Sequence, residues 1–545
     1  MNPFGIKIFF ILIFATCIFD AQAQANFSSN LPIVIINSGG QIQDEKNIAR
    51  MGIIDNGSGQ TNNTSDPFND YDGFVGIETR GSSSQSFPKK SFGFAIWTES
   101  GEDSVASILG MPEEEDWILY APYTDKSLMR NVLTFKITNE MGRYGSRTRY
   151  CEVVLNGSYE GVYVMMEKVK RDKNRVALNK LNPEEIEGEN LTGGYLIKID
   201  KTTGTNSNEG WHSSIQNSNN KNTYFQYEYP KIKNIMPEQR QYIQDYIKGF
   251  ETALAGDNFQ DNGSGYKTWA EMESFIDFSI VNEITKNVDG YRLSTFMHKD
   301  KNGKLIMGPV WDFNLAFGNA DYCEGGNTYG WAWNFNKICP DDGFQIPFWW
   351  KRLLQDEVYV QAYINRWTDL RMDVLKTENL HASIDSMAVV LNQSQKRNYD
   401  KWQILGNYVW PNAYVGANFA DEVKYLKRWI ADRTEWMDNN IGKLITIASI
   451  RGQNDLSNSL SIYPNPFENE LFIKYKNTTK EPLTIELHDI YGKRLFQSHS
   501  ISRGNNQDFR VKISELLGTE ISSGIYFLKV VDLKGNSESY KIIKK

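Results

Sequence analysis

Apolar and polar residues alternate in short runs over the first third of this chain, bounded by Gly, Pro, Asn and Ser, which is the pattern of half-buried strands. LPIVIINS opens the region, FVGIETRGSSSQSFPKKSFGFAIW continues it, and CEVVLNGSYEGVYVMMEKVK has the form of a hairpin turning at Asn156-Gly157. Between these strands, DKSLMRNVLTFKITNEMGR places Leu128, Val132, Phe135 and Ile137 at helical spacing, with Asp125 as a candidate cap. The latter part has mainly helical spacing, as in WAEMESFIDFSIVNEITKN and DEVKYLKRWIADRTEWMDNNI. The pattern predicts an α+β fold, a β-rich lobe with one helix followed by a helix-rich lobe.

The two ends read differently. Lys7 precedes the apolar run IFFILIFATCIF, too short to span a bilayer, and Ala21-Gln22-Ala23 offers small residues to a signal peptidase, so residues 1–23 are expected to be an export signal. No later segment is apolar and long enough to be transmembrane. Past a polar stretch, with a linker expected at 451–459, residues 460–545 alternate in four or more short runs punctuated by Asn, Gly and Pro, predicting a small antiparallel β-sandwich. The segment between, 24–450, is read as the main domain.

Composition narrows the function. A net charge of -8 disfavours a nucleic-acid partner, which needs excess Lys and Arg. Loss of the signal removes Cys17 and leaves Cys151, Cys323 and Cys339; in an oxidising compartment the last two are the expected bridge, with Cys151 a free thiol, and three reduced cysteines are the alternative. Five His, none in a Cys/His cluster of zinc spacing, argue against a His-based metal site.

The strongest chemical signal lies between Asn287 and Asn319. Asp289 follows a predicted helix; then come a strand, a Lys-Asn-Gly turn, a second strand and Trp311-Asp312-Phe313, which sets two acids at one end of a hairpin. Mg²⁺ takes a few carboxylate oxygens and leaves its other positions to phosphate and water, so the pair suits a metal-phosphate site. Turn-forming and packing roles explain such Asp residues too.

In several separated blocks the chain resembles the CotH-type kinases, atypical protein kinases first associated with spore coats. The blocks are Arg80-Gly81 with Ser82 to Ser84 and Phe87 to Ser91; Asp116-Trp117; Asp125 with Arg130-Asn131; Leu155 through Glu167; Gly194-Tyr195; and Trp311 through Asn319. The resemblance implies a bilobal atypical kinase using ATP and Mg²⁺ or Mn²⁺ to phosphorylate Ser or Thr of exported proteins. It implies that Asp289 orients or deprotonates the hydroxyl and that Asp312 holds the metal, with Asp289 nearby. Arg80 and either Lys89 or Lys90 are candidate phosphate cations; adjacent lysines on a strand face opposite ways, and a solvated edge strand explains them equally. Glu167 ends a strand leading to a nucleotide-facing hinge, with its neighbours' side chains in the core. Two positions depart from kinase patterns: Ser294 stands where a metal-holding Asn is expected, and Asn314 where many members have Asp, which points to weaker metal binding or a single ion.

The tail resembles the type A C-terminal sorting domain of the type IX secretion system, on Tyr463-Pro464-Asn465-Pro466-Phe467, the Asp489 to Gly492 turn, Gly524-Ile525-Tyr526 and the terminal Lys-Ile-Ile-Lys-Lys. It implies passage through the periplasm to the cell surface or medium. A rival reading is a kinase-fold surface protein without catalysis that binds glycan or protein through the aromatic loop Tyr329 to Phe335 and Trp349-Trp350.

Overall fold

The alternating runs close into a barrel of seven strands: β1 (Ile33–Asn37), β2 (Asn47–Ile54), β3 (Tyr71–Arg80), β4 (Ser91–Trp97), β5 (Asp116–Tyr120), β6 (Thr148–Leu155) and β7 (Ser158–Glu167). Their order is β6-β7-β5-β4-β3-β2-β1, and a parallel pairing of β6 with β1 completes the ring. Alternate residues point inward, so Val34, Ile36, Met51, Ile53, Val75, Ile77, Phe92, Phe94, Trp117, Leu119, Val153 and Met165 share one buried core. Asn156 and Gly157 have φ of 50° and 83°, the left-handed pair that a tight β6–β7 hairpin demands.

These features belong to a computed structural model that describes residues 25–202, 209–445, 460–468, 470–475, 483–489, 493–500, 507–512, 521–531 and 537–545. The expected export signal and linker lie outside the described residues, as do positions 490–492 of the expected Asp489 turn. Among the described residues no helix is long and apolar enough to cross a membrane.

Helix α1 (Arg130–Glu140) follows β5. Asp125 acts from outside the helix, its carboxylate accepting from the Arg130 amide at 2.8 Å. The expected helix-rich second lobe is instead mixed. A second sheet, β8 (Tyr195–Ile199), β9 (Gly210–Gln216), β10 (Asn222–Tyr229), β11 (Thr295–Lys299) and β12 (Leu305–Met307), runs in the order β9-β10-β8-β11-β12. The β11–β12 hairpin was expected, whereas β9 and β10 are obscured by a surrounding Asn- and Ser-rich sequence; Trp211 of β9 stacks on Phe225 and packs at a tilt on Tyr227, both of β10. Helices α2 (Pro237–Ala255) and α3 (Met272–Thr285) interrupt this sheet in sequence, and α4 (Thr377–Leu391), α5 (Ser394–Lys401) and α6 (Phe419–Asn440) follow it. From Ser274 to Thr285 every residue of α3 is buried, and its polar members are held by partners, Asp277 by Arg143 and Arg366, Asn282 by the Phe278 carbonyl and Glu283 by Tyr291 and Arg433.

The chain divides into two compact units, 1–350 with 362–440 and 351–361 with 441–545. In the second, a three-stranded sheet (Leu460–Tyr463, Glu470–Tyr475, Gln507–Lys512) and a four-stranded sheet (Arg494–Ser500, Leu483–His488, Gly524–Val531, Ser537–Lys544) share a core of Phe467, Leu471, Ile485, Leu487, Leu528, Val530 and Ile542. This is the expected sandwich. Asn465 accepts from the Ile543 amide at 2.9 Å and donates to the Lys541 carbonyl at 2.8 Å, pinning the Tyr-Pro-Asn-Pro-Phe segment to the last strand.

Candidate functional site

Antiparallel pairing of β11 with β12, in which Met297 faces Met307, returns the chain on itself, so the segments before Thr295 and after Met307 emerge at one end. Asp289 and Asp312 lie on those segments. β8 pairs with β11 through Ile199 and Thr295, which brings Asp200 to the same end. Neither Asp200 nor Lys201 was singled out by the sequence; the signal was there in Ile199-Asp200-Lys201, an acid and a base ending an apolar strand.

The backbone is held in unusual shapes around this end. Lys286, Tyr291, Ser294, Asp312 and Phe317 all have left-handed φ, between 42° and 68°, and none is glycine. Such residues persist only where surrounding contacts over-determine them, a pattern common at functional sites. Lys286 terminates α3, and the Asn287 side chain then accepts from the Asp289 amide at 3.1 Å. Asn287 also donates to the Asp312 carbonyl at 3.3 Å, tying the two acidic segments together. From the other side Asn131, on the first turn of α1, accepts from the Phe313 amide at 2.6 Å. Its neighbour Arg130 donates to the Ala316 carbonyl at 3.0 Å and to Asp125 at 2.6 Å, an ion pair whose side chains are each 1 % exposed. Replacing Asp125 with Ala strands a buried guanidinium, and we expect unfolding free energy to fall by about 3–5 kcal/mol in urea titrations. A loss under about 1 kcal/mol, the scale of an exposed pair, would show the contact to be incidental.

The electrostatics join the acids into one group. Burial pushes the Asp312 carboxyl up to about 6; Asp289 and Asp200 add to the shift, and Arg80 and Lys201 oppose it. Asp289 is likewise raised by burial, against the pull of Arg292 and Lys201, with Asp342 and Asp200 raising it further. Arg80, at the end of β3, lies 5.7 Å from the Trp311 ring, and Trp311 stacks on Phe135 of α1. Carboxylate oxygens are the ligand type that a hard divalent ion takes when phosphate and water complete its shell. Among the described residues no group of three or more His, Cys, Asp or Glu could hold an ion unaided.

Lys89, Lys90 and Glu167 are engaged by other parts of the fold. Lys89 is buried and donates to the Val162 carbonyl at 2.6 Å and to Asn398 of α5 at 2.8 Å, over the Tyr163 ring. Lys90 donates to the Gln85 carbonyl. Both lysines precede β4, which begins at Ser91, so strand alternation does not set their directions; the buried one pins a helix to the barrel, and neither is among the charges acting on Asp312. Glu167 is fully buried and accepts from Tyr144 at 3.1 Å, the Arg147 amide at 2.9 Å and the Arg147 guanidinium at 2.7 Å; its own amide donates to the Arg147 carbonyl, so it anchors the barrel's end. Ser294 sits in the turn before β11, and Asn314 follows the Trp-Asp-Phe segment, its carbonyl accepting from Asn319 at 2.8 Å.

The aromatic loop is mostly packed. Cys323 and Cys339 are bridged, as expected, and Cys151 is free and buried. Inside the bridged segment Trp331 packs on Trp436, the Ala332 and Trp333 amides donate to buried Glu283, and Phe335 is buried. Trp349 and Trp350 are buried, while Tyr329 is 55 % exposed.

Comparison with known proteins bears on both units. A family model described as CotH kinase protein matches residues 77–437, and one described as secretion system C-terminal sorting domain matches residues 461–545. The inner spore coat protein H of Bacillus subtilis (strain 168) is 23% identical over 244 residues, 45% of this chain. The match spans 59% of that relative's length.

Proposed function

The chain belongs to the CotH kinase protein family, and from that premise we propose that it is an exported kinase transferring the γ-phosphate of ATP to Ser or Thr hydroxyls of exported or surface proteins. Its sorting domain makes it a secreted or cell-surface protein handled by the type IX machinery. The observation that carries the catalytic reading is the convergence of Asp289 and Asp312 at one end of the β11–β12 hairpin, with Asp289 close enough to raise the Asp312 carboxyl.

In this reading the barrel with α1 is the amino-terminal lobe and the second sheet with its helices the carboxy-terminal lobe. Asp312, with Asp289 on the neighbouring segment, would hold Mg²⁺ or Mn²⁺. A bound divalent ion would neutralise charge on the β- and γ-phosphate oxygens. Asp289, whose side chain keeps 19 % of its surface open, orients the acceptor hydroxyl and takes its proton. Arg80 and Lys201, the cations that act on Asp312, replace Lys89 and Lys90 as the phosphate contacts. Ser294 and Asn314 add no charge, which favours a single ion. Burial of Phe335, Trp349 and Trp350, with Trp331 packed on Trp436, leaves the glycan reading without a broad stacking face.

The test is transfer of label from γ-labelled ATP, with Mg²⁺, to Ser or Thr of co-exported proteins or of the chain itself. No transfer would contradict the proposal. The site should also titrate. Because Asp312 is held near 6, protons compete with metal, so Mg²⁺-dependent nucleotide binding should weaken as pH falls through about 6. Without metal the folded state binds this proton more tightly than the unfolded chain, so stability contributed here should fall as pH rises from 3.8 to about 6. Asp312→Asn should remove that dependence in thermal unfolding with chelator.

A further inference from the structure

Arg292 is 3 % exposed, and its guanidinium is engaged on every side. Nη2 donates to Asp289 Oδ1 at 2.8 Å; Nη1 donates to Asp342 Oδ1 and the Phe344 carbonyl, each at 3.2 Å; Nε donates to the Val288 carbonyl at 2.9 Å. The Phe335 ring lies beneath it, 4.1 Å from the guanidinium carbon. Two of these partners depend on the bridged loop. Phe335 lies inside the segment closed by Cys323 and Cys339, and Asp342 lies just past Pro340-Asp341, tied to the bridge by Gln345, which donates to the Cys339 carbonyl at 2.9 Å and the Asp342 carbonyl at 2.8 Å.

A carboxylate that must meet one hydroxyl needs a fixed rotamer, and a planar fork anchored elsewhere supplies it. We propose that Arg292 is the positioning residue for Asp289 and that the disulfide-closed loop fixes Arg292, so that the acid is set for proton transfer only once Cys323 and Cys339 are joined. The proposal rests on the kinase reading of this site. It assigns the bridge a consequence for activity rather than for stability alone: the chain gains full competence in an oxidising compartment. The charges facing Asp289 are Arg292, Lys201, Asp342, Asp200 and Asp312, with the Tyr322 phenol also near.

The experiment is steady-state transfer from γ-labelled ATP by the whole exported chain, from about pH 5 to about pH 9, comparing four variants with the unaltered protein. Arg292→Ala should lower kcat about 100-fold, the usual cost of a misplaced reacting group, with KM for ATP within about twofold. Its acid limb should move to higher pH, because Asp289 loses the cation that holds its pKa down. Arg292→Lys keeps the charge without the fork and should leave the limb in place while kcat stays low; it carries the test if the alanine variant does not fold. Asp342→Asn and the paired Cys323→Ser, Cys339→Ser change should each lower kcat at unchanged KM for ATP. Arg292 variants with kcat within about twofold and an unmoved limb overturn the positioning role. Full kcat in the double-serine chain overturns the loop's part. No transfer by the unaltered chain at any pH overturns the kinase reading and this proposal together, an outcome distinct from the other two.

Discussion

Replacing Asp289 with Asn should lower phosphoryl transfer by about 10²–10⁴-fold, the range for losing a positioned general base, while ATP affinity stays within about threefold. The reasoning is local. Asn matches Asp in shape, so the turn set by Asn287 and the Arg292 contact survive in outline. What is lost is the carboxylate's ability to take a proton, a transition-state interaction that leaves ground-state nucleotide binding alone. Steady-state transfer beside equilibrium ATP binding separates the two. A variant keeping more than about a tenth of its turnover would remove Asp289 from the reaction.

Replacing Asp312 with Asn should act on a different quantity. Mg²⁺-dependent ATP binding should disappear and transfer should fall about 10³-fold or more, because the site loses the charge that holds the ion and with it several kcal/mol of transition-state stabilisation. Asn is the substitution of choice, since Asp312 has φ of 65° and Asn tolerates that left-handed backbone where a bulkier residue would strain the loop. Binding measured with Mg²⁺ and with chelator should give the same affinity in this variant. A retained metal response would place the ion elsewhere.

Much of this site is written locally. The end of α3, the two strands and the Trp-Asp-Phe segment lie within one stretch of chain, and a helix, a hairpin and two acids in that order fix a shared end without knowledge of the rest. The Asn156-Gly157 turn, the Cys323–Cys339 bridge and the tail's alternating strands were legible for the same reason. What the sequence hid arrives from far along the chain. Asp200 joins the site because β8 pairs with β11, and β9 and β10 extend the same sheet from a polar stretch. The barrel closes through β6 and β1, a parallel pairing that no local period announces. Lys89 shows the limit best: the sequence places it in an expected strand, whereas it precedes β4, and its partner Asn398 comes from α5, a contact that no local pattern announces.

The joint use of Asp289 and Asp312 around one nucleotide-bound ion is tested most directly by calorimetric titration of the protein with ATP, in Mg²⁺ and in chelator, for the unaltered chain and both Asn variants. Binding should require Mg²⁺ in the unaltered chain, persist with that requirement in Asp289→Asn, and lose it in Asp312→Asn. No heat from the unaltered chain, or equal heat with and without Mg²⁺, would contradict the account.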